Sequence, residues 1–172
     1  ILKHTILKNL RQLIANVKNE YFGASILVVD DPIELIYTWI ASAIKAKCKW
    51  PTSARLSTVD HNGFPQCRSI MVKSTNPITF YTNYESDKGK QIEAFPCVSL
   101  TFTWPELYRE IRILATVSKS SPEKSDQYWH SRSKRSNLIT LFSSQSRPTS
   151  FLDHSHENFP YDSGLRPYWW GG

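Results

Sequence analysis

With 172 residues, 40% of them hydrophobic and 21% charged, the chain has the composition of a soluble globular protein long enough to bury one sizeable core. No apolar run approaches the roughly 20 residues of a bilayer-spanning helix, and no charged, apolar, small-residue signal opens the chain, so a membrane partner is not expected. A net charge of +6 favours anionic partners, but Lys and Arg are dispersed, so composition leaves nucleic acid and a phosphorylated small molecule both open.

The first residue is Ile rather than Met, so the true start is expected upstream. Ile6, Leu7, Leu10, Leu13, Ile14 and Val17 recur at three- and four-residue steps, which predicts an amphipathic helix within Ile1 to Tyr21. Asp31-Pro32 supplies a capping residue and a first-turn proline for a second helix. That helix should continue through Leu35, Ile36, Trp39, Ile40 and Ile44 and end near Lys49. From Pro51 the period changes to that of strands. Ala54 to Val59 and Cys67 to Lys73 flank the turn Asp60-His61-Asn62-Gly63 as a hairpin, and Ile78 to Thr82 follows. Ser86 caps a short helix to Ala94. Cys97 to Thr103 and Leu107 to Ser118 are two further strands around Trp104-Pro105-Glu106. Pro122 to Ser131 and Ser136 to Phe142 read as short helices, and the chain after Gln145 as irregular. Strands that arrive as hairpins imply an antiparallel sheet, and five or six of them suit a small closed barrel. There is no strand-helix alternation and no G-x-G-x-x-G, which argues against a doubly wound nucleotide fold.

Cys48, Cys67 and Cys97 are widely spaced, so neither a disulfide framework nor a structural zinc is expected. Reduced thiols suit a cytoplasmic protein. His154-Ser155-His156-Glu157 would put alternate residues on one face as a strand, but in a polar, proline-flanked stretch it reads as a solvated loop; no metal is expected.

Chemistry concentrates between Arg68 and Lys90. Arg68 and Lys73 bracket an apolar strand and point to opposite faces if the strand is regular. Ser86 and Lys88 stand at a helix N-terminus, which favours an anion, with Tyr81 and Thr82 at the end of the preceding strand. Edge-strand charges beside a capped surface helix remain an alternative on this pattern alone.

Several motifs occur in a fixed order. They are Asn19-Glu20-Tyr21, Asp31-Pro32 with Leu35 and Trp39, Arg68 to Lys73, Phe80-Tyr81-Thr82-Asn83 and Ser86-x-Lys88. Trp104-Pro105-x-Leu107, Tyr128-x-His130-Ser131-Arg132 with Ser136, Ser144-Gln145-Ser146, Arg166-Pro167 and Trp170-Gly171-Gly172 follow. In this order the chain resembles the pyridoxine (pyridoxamine) 5′-phosphate oxidase family. The resemblance implies a mainly β fold with flanking helices: an antiparallel, Greek-key-like split β-barrel that binds FMN as a homodimer. One domain would span 1–172, with N-terminal helices in 1–49. The family's further C-terminal strand and Arg-x-His element would follow Gly172.

For the site, the resemblance implies an FMN-binding set of Arg68, Ser69, Ile70, Met71, Val72, Lys73, Tyr81, Thr82, Lys88, Gln145, Ser146 and Trp170. Lys73, Tyr128, Arg132 and Ser136 would hold the substrate, with Lys73 and Arg132 as the catalytic pair. The implied reaction oxidises pyridoxamine or pyridoxine 5′-phosphate to pyridoxal 5′-phosphate and reduces oxygen to hydrogen peroxide. No nucleic-acid partner is implied. Departures from the family pattern are Asp87 for an Arg beside Lys88, Glu110 for a flavin-contacting Gln, and Lys18-Asn19 for an Arg pair. Asp87 and Glu110, with the family's C-terminal segment not in this sequence, support a catalytically weak FMN- or pyridoxal-phosphate-binding homologue as an alternative. A related flavin oxidase with another substrate is a further one, weakened by Tyr128, Arg132 and Ser136, which favour a phosphorylated substrate.

Overall fold

The computed structural model describes residues 31–143, 145–146 and 164–172. The helix expected within Ile1 to Tyr21, the Asn19-Glu20-Tyr21 motif and the His154 to Glu157 stretch lie outside the described residues. Helix α1 (Pro32–Lys45) starts as expected, with the Asp31 carboxylate accepting from the Ile33 N–H at 2.8 Å. It stops short of Lys49 because Lys47 takes a left-handed φ of 54°. The Lys47 N–H then reaches the Ile44 carbonyl and the Cys48 N–H the Ala43 carbonyl, each at 3.0 Å, closing a Schellman motif.

Strands β1 (Ser53–Val59) and β2 (Pro65–Thr75) form the expected hairpin. Asp60 builds the turn: its Oδ1 accepts from the Asn62 and Phe64 N–H groups at 2.9 Å each, which holds its carboxyl below the usual carboxylate range. Strand β3 (Ile78–Phe80) folds back on β2, after which β4 (Thr82–Asn83) leaves the main sheet, so the run expected as one strand breaks at Tyr81. Helix α2 (Asp87–Ala94) follows, capped by Ser86. Strand β5 (Cys97–Trp104) crosses to the far side of β1, and β6 (Arg109–Thr116) pairs with it after the 3₁₀ turn Pro105–Leu107. The order β3-β2-β1-β5-β6 is Greek-key-like, since the strand after the first three returns beside the first. Helices α3 (Pro122–Ser131) and α4 (Lys134–Phe142) come next. Strand β7 (Trp170–Gly171), in a stretch expected to be irregular, pairs with β4.

Alternation along the strands fills one face of the sheet. Ala54, Leu56, Ile70, Val72, Val98, Leu100, Phe102 and Trp104 are buried there, with Ile40 and Ala43 of α1 in the same cluster. Each large apolar side chain so buried contributes about 1.5–3 kcal/mol. The Trp104 indole N–H donates to the Pro51 carbonyl at 2.9 Å, so its polar atom is satisfied inside the core. The expected closed barrel is a curled half-barrel among the described residues: β3 and β6 pair on one side only. A groove of about 760 Å³ lies between them, lined by Ile78, Phe80, Ile113 and Val117.

Candidate functional site

The two-residue period of β2 separates its side chains. Ile70 and Val72 are buried, Ser69 and Lys73 exposed, and a register shift between Val72 and Ser74 sets Lys73 on a bulge. A second cavity, of about 310 Å³, lies against this strand, with Ser69, Ile70, Met71 and Lys73 among its lining. The larger groove mixes an apolar lining with Tyr84, Glu93, Lys119 and Lys124, whereas this smaller cavity brings Lys73, Lys88 and Arg132 beside Tyr81 and Tyr128.

One side of the cavity is built on the N-terminus of α2. The Ser86 hydroxyl is fully buried; it donates to the Asn83 carbonyl at 2.6 Å and accepts from the Gly89 N–H at 3.4 Å and from Lys88 Nζ at 3.2 Å. Lys88 is 8% exposed, and burial, reinforced by the nearby Arg68 charge, pushes its pKa down to about 8. Arg68 turns inward, where Nη1 donates to Thr58 Oγ1 and to the Leu56 carbonyl (3.4 Å), and Nη2 to Gln91 Oε1 (3.1 Å). The neighbouring Asp87 carboxylate acts on both cations and favours their charged forms. The helix approaches so closely because residue 89 is Gly: a Cβ there would sit 2.1 Å from the Tyr84 carbonyl oxygen.

Aromatic rings form another wall. Tyr81 stacks on Tyr128 at 3.9 Å between centroids, with Trp170 at 5.5 Å from Tyr81 and 6.0 Å from Tyr128. The Arg132 guanidinium lies 4.6 Å over the Trp170 ring. Its Nη2 donates to the Ser136 carbonyl at 3.1 Å and to Thr140 Oγ1 at 2.8 Å, while Nη1 is buried without a partner among the described residues. An orphaned guanidinium nitrogen beside a cavity suits an anion.

Of the residues expected at the site, Ser69, Ile70, Met71, Lys73, Tyr81, Thr82, Lys88, Tyr128, Arg132, Gln145 and Trp170 line this one cavity. Four do not. Val72 is a core residue, 2% exposed, and Arg68 shares its inward parity. Ser136 supplies its carbonyl to Arg132 and its hydroxyl to Ser133 at 2.9 Å. Ser146 Oγ accepts from the Asp87 N–H at 3.2 Å, at the end of α2 rather than in the cavity. Asn83, Thr140 and Ser143 line the cavity without having been expected there. Arg166, known from sequence only as part of a motif, holds Trp170 in place. Its Nε pairs with Asp126 at 2.6 Å and its Nη1 donates to the Trp170 carbonyl at 2.5 Å. The His130 ring faces the Asp126 carbonyl at 2.7 Å and the Gly164 carbonyl at 2.9 Å.

The family model described as pyridoxamine 5′-phosphate oxidase matches residues 40–155, more than half of the chain. The chain belongs to the pyridoxamine 5′-phosphate oxidase family. Among curated members, the pyridoxine/pyridoxamine 5′-phosphate oxidase of Rhodococcus jostii is 39% identical over 150 residues, covering 81% of this chain and 67% of the relative. That of Polynucleobacter asymbioticus is 37% identical over 165 residues, covering 90% and 78%. Among solved structures, PhzG from Burkholderia lata, in complex with tetrahydrophenazine-1-carboxylic acid, superposes with a TM-score of 0.67 at 25% identity, over 71% of this chain and 61% of that one. A pyridoxamine 5′-phosphate oxidase-related, FMN-binding protein from Nostoc punctiforme shares the fold, with a TM-score of 0.67 at 17% identity over 83% and 79%. The oxidase family's split-barrel architecture is therefore that of this chain.

Proposed function

We propose that the chain holds FMN against β2 and oxidises pyridoxamine or pyridoxine 5′-phosphate to pyridoxal 5′-phosphate, with oxygen reduced to hydrogen peroxide. The observation that carries this reading is Arg132, whose buried, unpartnered Nη1 and Trp170-stacked guanidinium share one cavity with Lys88 and Lys73. Cations on two different elements suit two phosphates, one on the cofactor and one on the substrate. Lys88, buried with a neutral hydroxyl as its bonded partner, fits the flavin phosphate. Ser69 to Lys73, Tyr81, Thr82, Gln145 and Trp170 would hold the rest of the cofactor, with Ser146 closing the end near α2. Tyr128 and Arg132 would hold the substrate phosphate, and Ser136 acts by fixing Arg132. When bound, FMN supplies the hydride acceptor and its return to the oxidised state by oxygen. Lys73, on the same cavity wall, would supply a cationic head toward the charge that the flavin gains with the hydride, and the aromatic wall would help keep water from the reacting face.

A homodimer belongs to this reading. Glu110, on β6, bonds Arg112 and Thr103 at 3.4 Å each, and β1 and β5 stand between its strand and β2. Three strand spacings are roughly 14 Å, so the flavin contact that the resemblance implies at that position would be made to the flavin of a second copy. The tail of family-length chains beyond this sequence would add to the same site. A second reading is a flavin oxidase acting on a planar ring acid. It is favoured by the structural likeness to PhzG, since Arg132 over an aromatic wall takes a carboxylate as readily as a phosphate.

The deciding experiment is an anaerobic absorbance titration of the protein with FMN and then with pyridoxamine 5′-phosphate. Flavin bands that appear on binding and bleach with this substrate are the expected result. Bound flavin that stays oxidised with pyridoxamine 5′-phosphate, but bleaches with a cyclic carboxylate, would move the assignment to the second reading. Bound flavin that no donor bleaches leaves a binding protein, and failure to bind flavin at all overturns the proposal.

A further inference from the structure

We propose that Thr58 and Gln91 are positioning residues of the anion cradle: they fix the Arg68 guanidinium behind Lys88 without cancelling its charge, so that both cations act on one bound phosphate. The identity of that phosphate, the flavin's, rests on the reading above. Thr58 is 1% exposed on a strand face otherwise occupied by Ala54 and Leu56, where a valine would pack equally well and bury no hydroxyl. The hydroxyl is used completely. It accepts from Arg68 Nη1 and donates to Gln91 Oε1 at 2.5 Å. The same oxygen of Gln91 accepts from Arg68 Nη2 at 3.1 Å, which fixes the amide orientation, since the amide nitrogen in its place would face donors. Gln91 stands one helical turn after Lys88, so α2 carries both a cation of the cradle and the clamp for the other. All the acceptors on Arg68 are neutral: a carbonyl, a hydroxyl and an amide oxygen. The clamp therefore adds no negative charge of its own; burial first and the Arg68 charge second lower the Lys88 pKa, while the neighbouring Asp87 carboxylate favours the charged forms of both cations.

The test compares dissociation constants for FMN and for riboflavin, which has the same ring system without the phosphate, in wild-type, Thr58→Val, Thr58→Ser and Gln91→Glu proteins. The expected result is an FMN constant raised about tenfold in Thr58→Val and in Gln91→Glu, whose carboxylate would neutralise Arg68, with riboflavin binding unchanged and near wild-type FMN binding in Thr58→Ser. Equal losses for both flavins would mean a merely structural clamp and overturn the proposal, as would an unchanged FMN constant. Wild-type protein that binds neither flavin would overturn the flavin reading itself. The clamp is then read separately, from the rise in Tm given by inorganic phosphate. Its loss in Thr58→Val, with recovery in Thr58→Ser, supports the proposal, and its persistence in Thr58→Val overturns it.

Discussion

Lys88 and Arg132 meet the cost of burial in different ways, and each makes a separate prediction. Burial and the Arg68 charge favour the neutral form of Lys88, with a folded pKa of about 8 against an ordinary value of 10.5. Between those values the unfolded chain binds more protons than the folded one, so the Lys88 contribution to stability rises as pH increases through that window. Anion binding runs the other way, because a neutral amine attracts no phosphate. FMN affinity is therefore expected to fall above about pH 8 while the stability of the flavin-free protein gains, and Lys88→Met should flatten both profiles. Isothermal titration and denaturant melts between pH 6.5 and 9.5 read the two effects separately. Arg132 cannot lose its proton in any accessible range, so its burial is relieved by stacking and by the Ser136 and Thr140 acceptors. Arg132→Lys keeps the charge but loses the planar fork. It should raise KM for pyridoxamine 5′-phosphate by about 10–100-fold and leave the FMN dissociation constant within about twofold of wild type, as stopped-flow reduction would show.

At the scale of elements, local chemistry was legible and distant pairing was not. Asp31 with Pro32, Asp60 to Gly63, Ser86 and Pro122 each carry their signal within a few residues, and the elements they start or turn are where sequence puts them. The opposite faces of Arg68 and Lys73 were readable from strand parity alone. The end of α1 was not, because Ile44 still fits the apolar stripe and the closure depends on the backbone of Lys47. Strand β7 is two residues long and finds its partner more than eighty positions away, which no periodicity reveals. Arg166 as the holder of Trp170, and Thr58 and Gln91 as the holders of Arg68, lie closer in sequence, at four, ten and 23 positions, but depend on side-chain directions that no periodicity gives. Strand β7 also tolerates little added volume. A Cβ on residue 171 would meet the Tyr84 hydroxyl at 2.1 Å and Ser125 Oγ at 2.9 Å. Gly171→Ala should therefore displace β7, destabilise the protein by about 1–3 kcal/mol and withdraw Trp170 from Tyr81 and Tyr128. Near-ultraviolet circular dichroism of the variant would report the lost ring stacking. An unchanged spectrum would mean that Tyr84 moves aside at little cost.

For the whole molecule, the curl of the sheet sorts two kinds of space: an apolar groove between the sheet edges and a polar, aromatic cavity against β2. The second brings together Lys73, Lys88 and Arg132 with the aromatic wall, and these come from β2, from the segment between β3 and α2, from α2 and from the α3–α4 pair. The site is therefore a tertiary product. Its binding strength depends on how α2, α3 and β7 are held on the sheet as much as on the groups that face the ligand.

The open edge of the half-barrel also bears on colloidal behaviour. Among the described residues, strand β6 has a partner only on its β5 side, so its other margin offers backbone groups to an extended chain. Arg109, Glu110 and Arg112 ride on that strand beside Leu114, which is 58% exposed, and stacking another molecule there would strip water from all three charges. They act as gatekeepers against fibril growth. Replacing Glu110 and Arg112 together by valine should leave the fold intact yet shorten the lag before light scattering rises at 37 °C, and seeds of the variant should recruit the wild-type protein poorly.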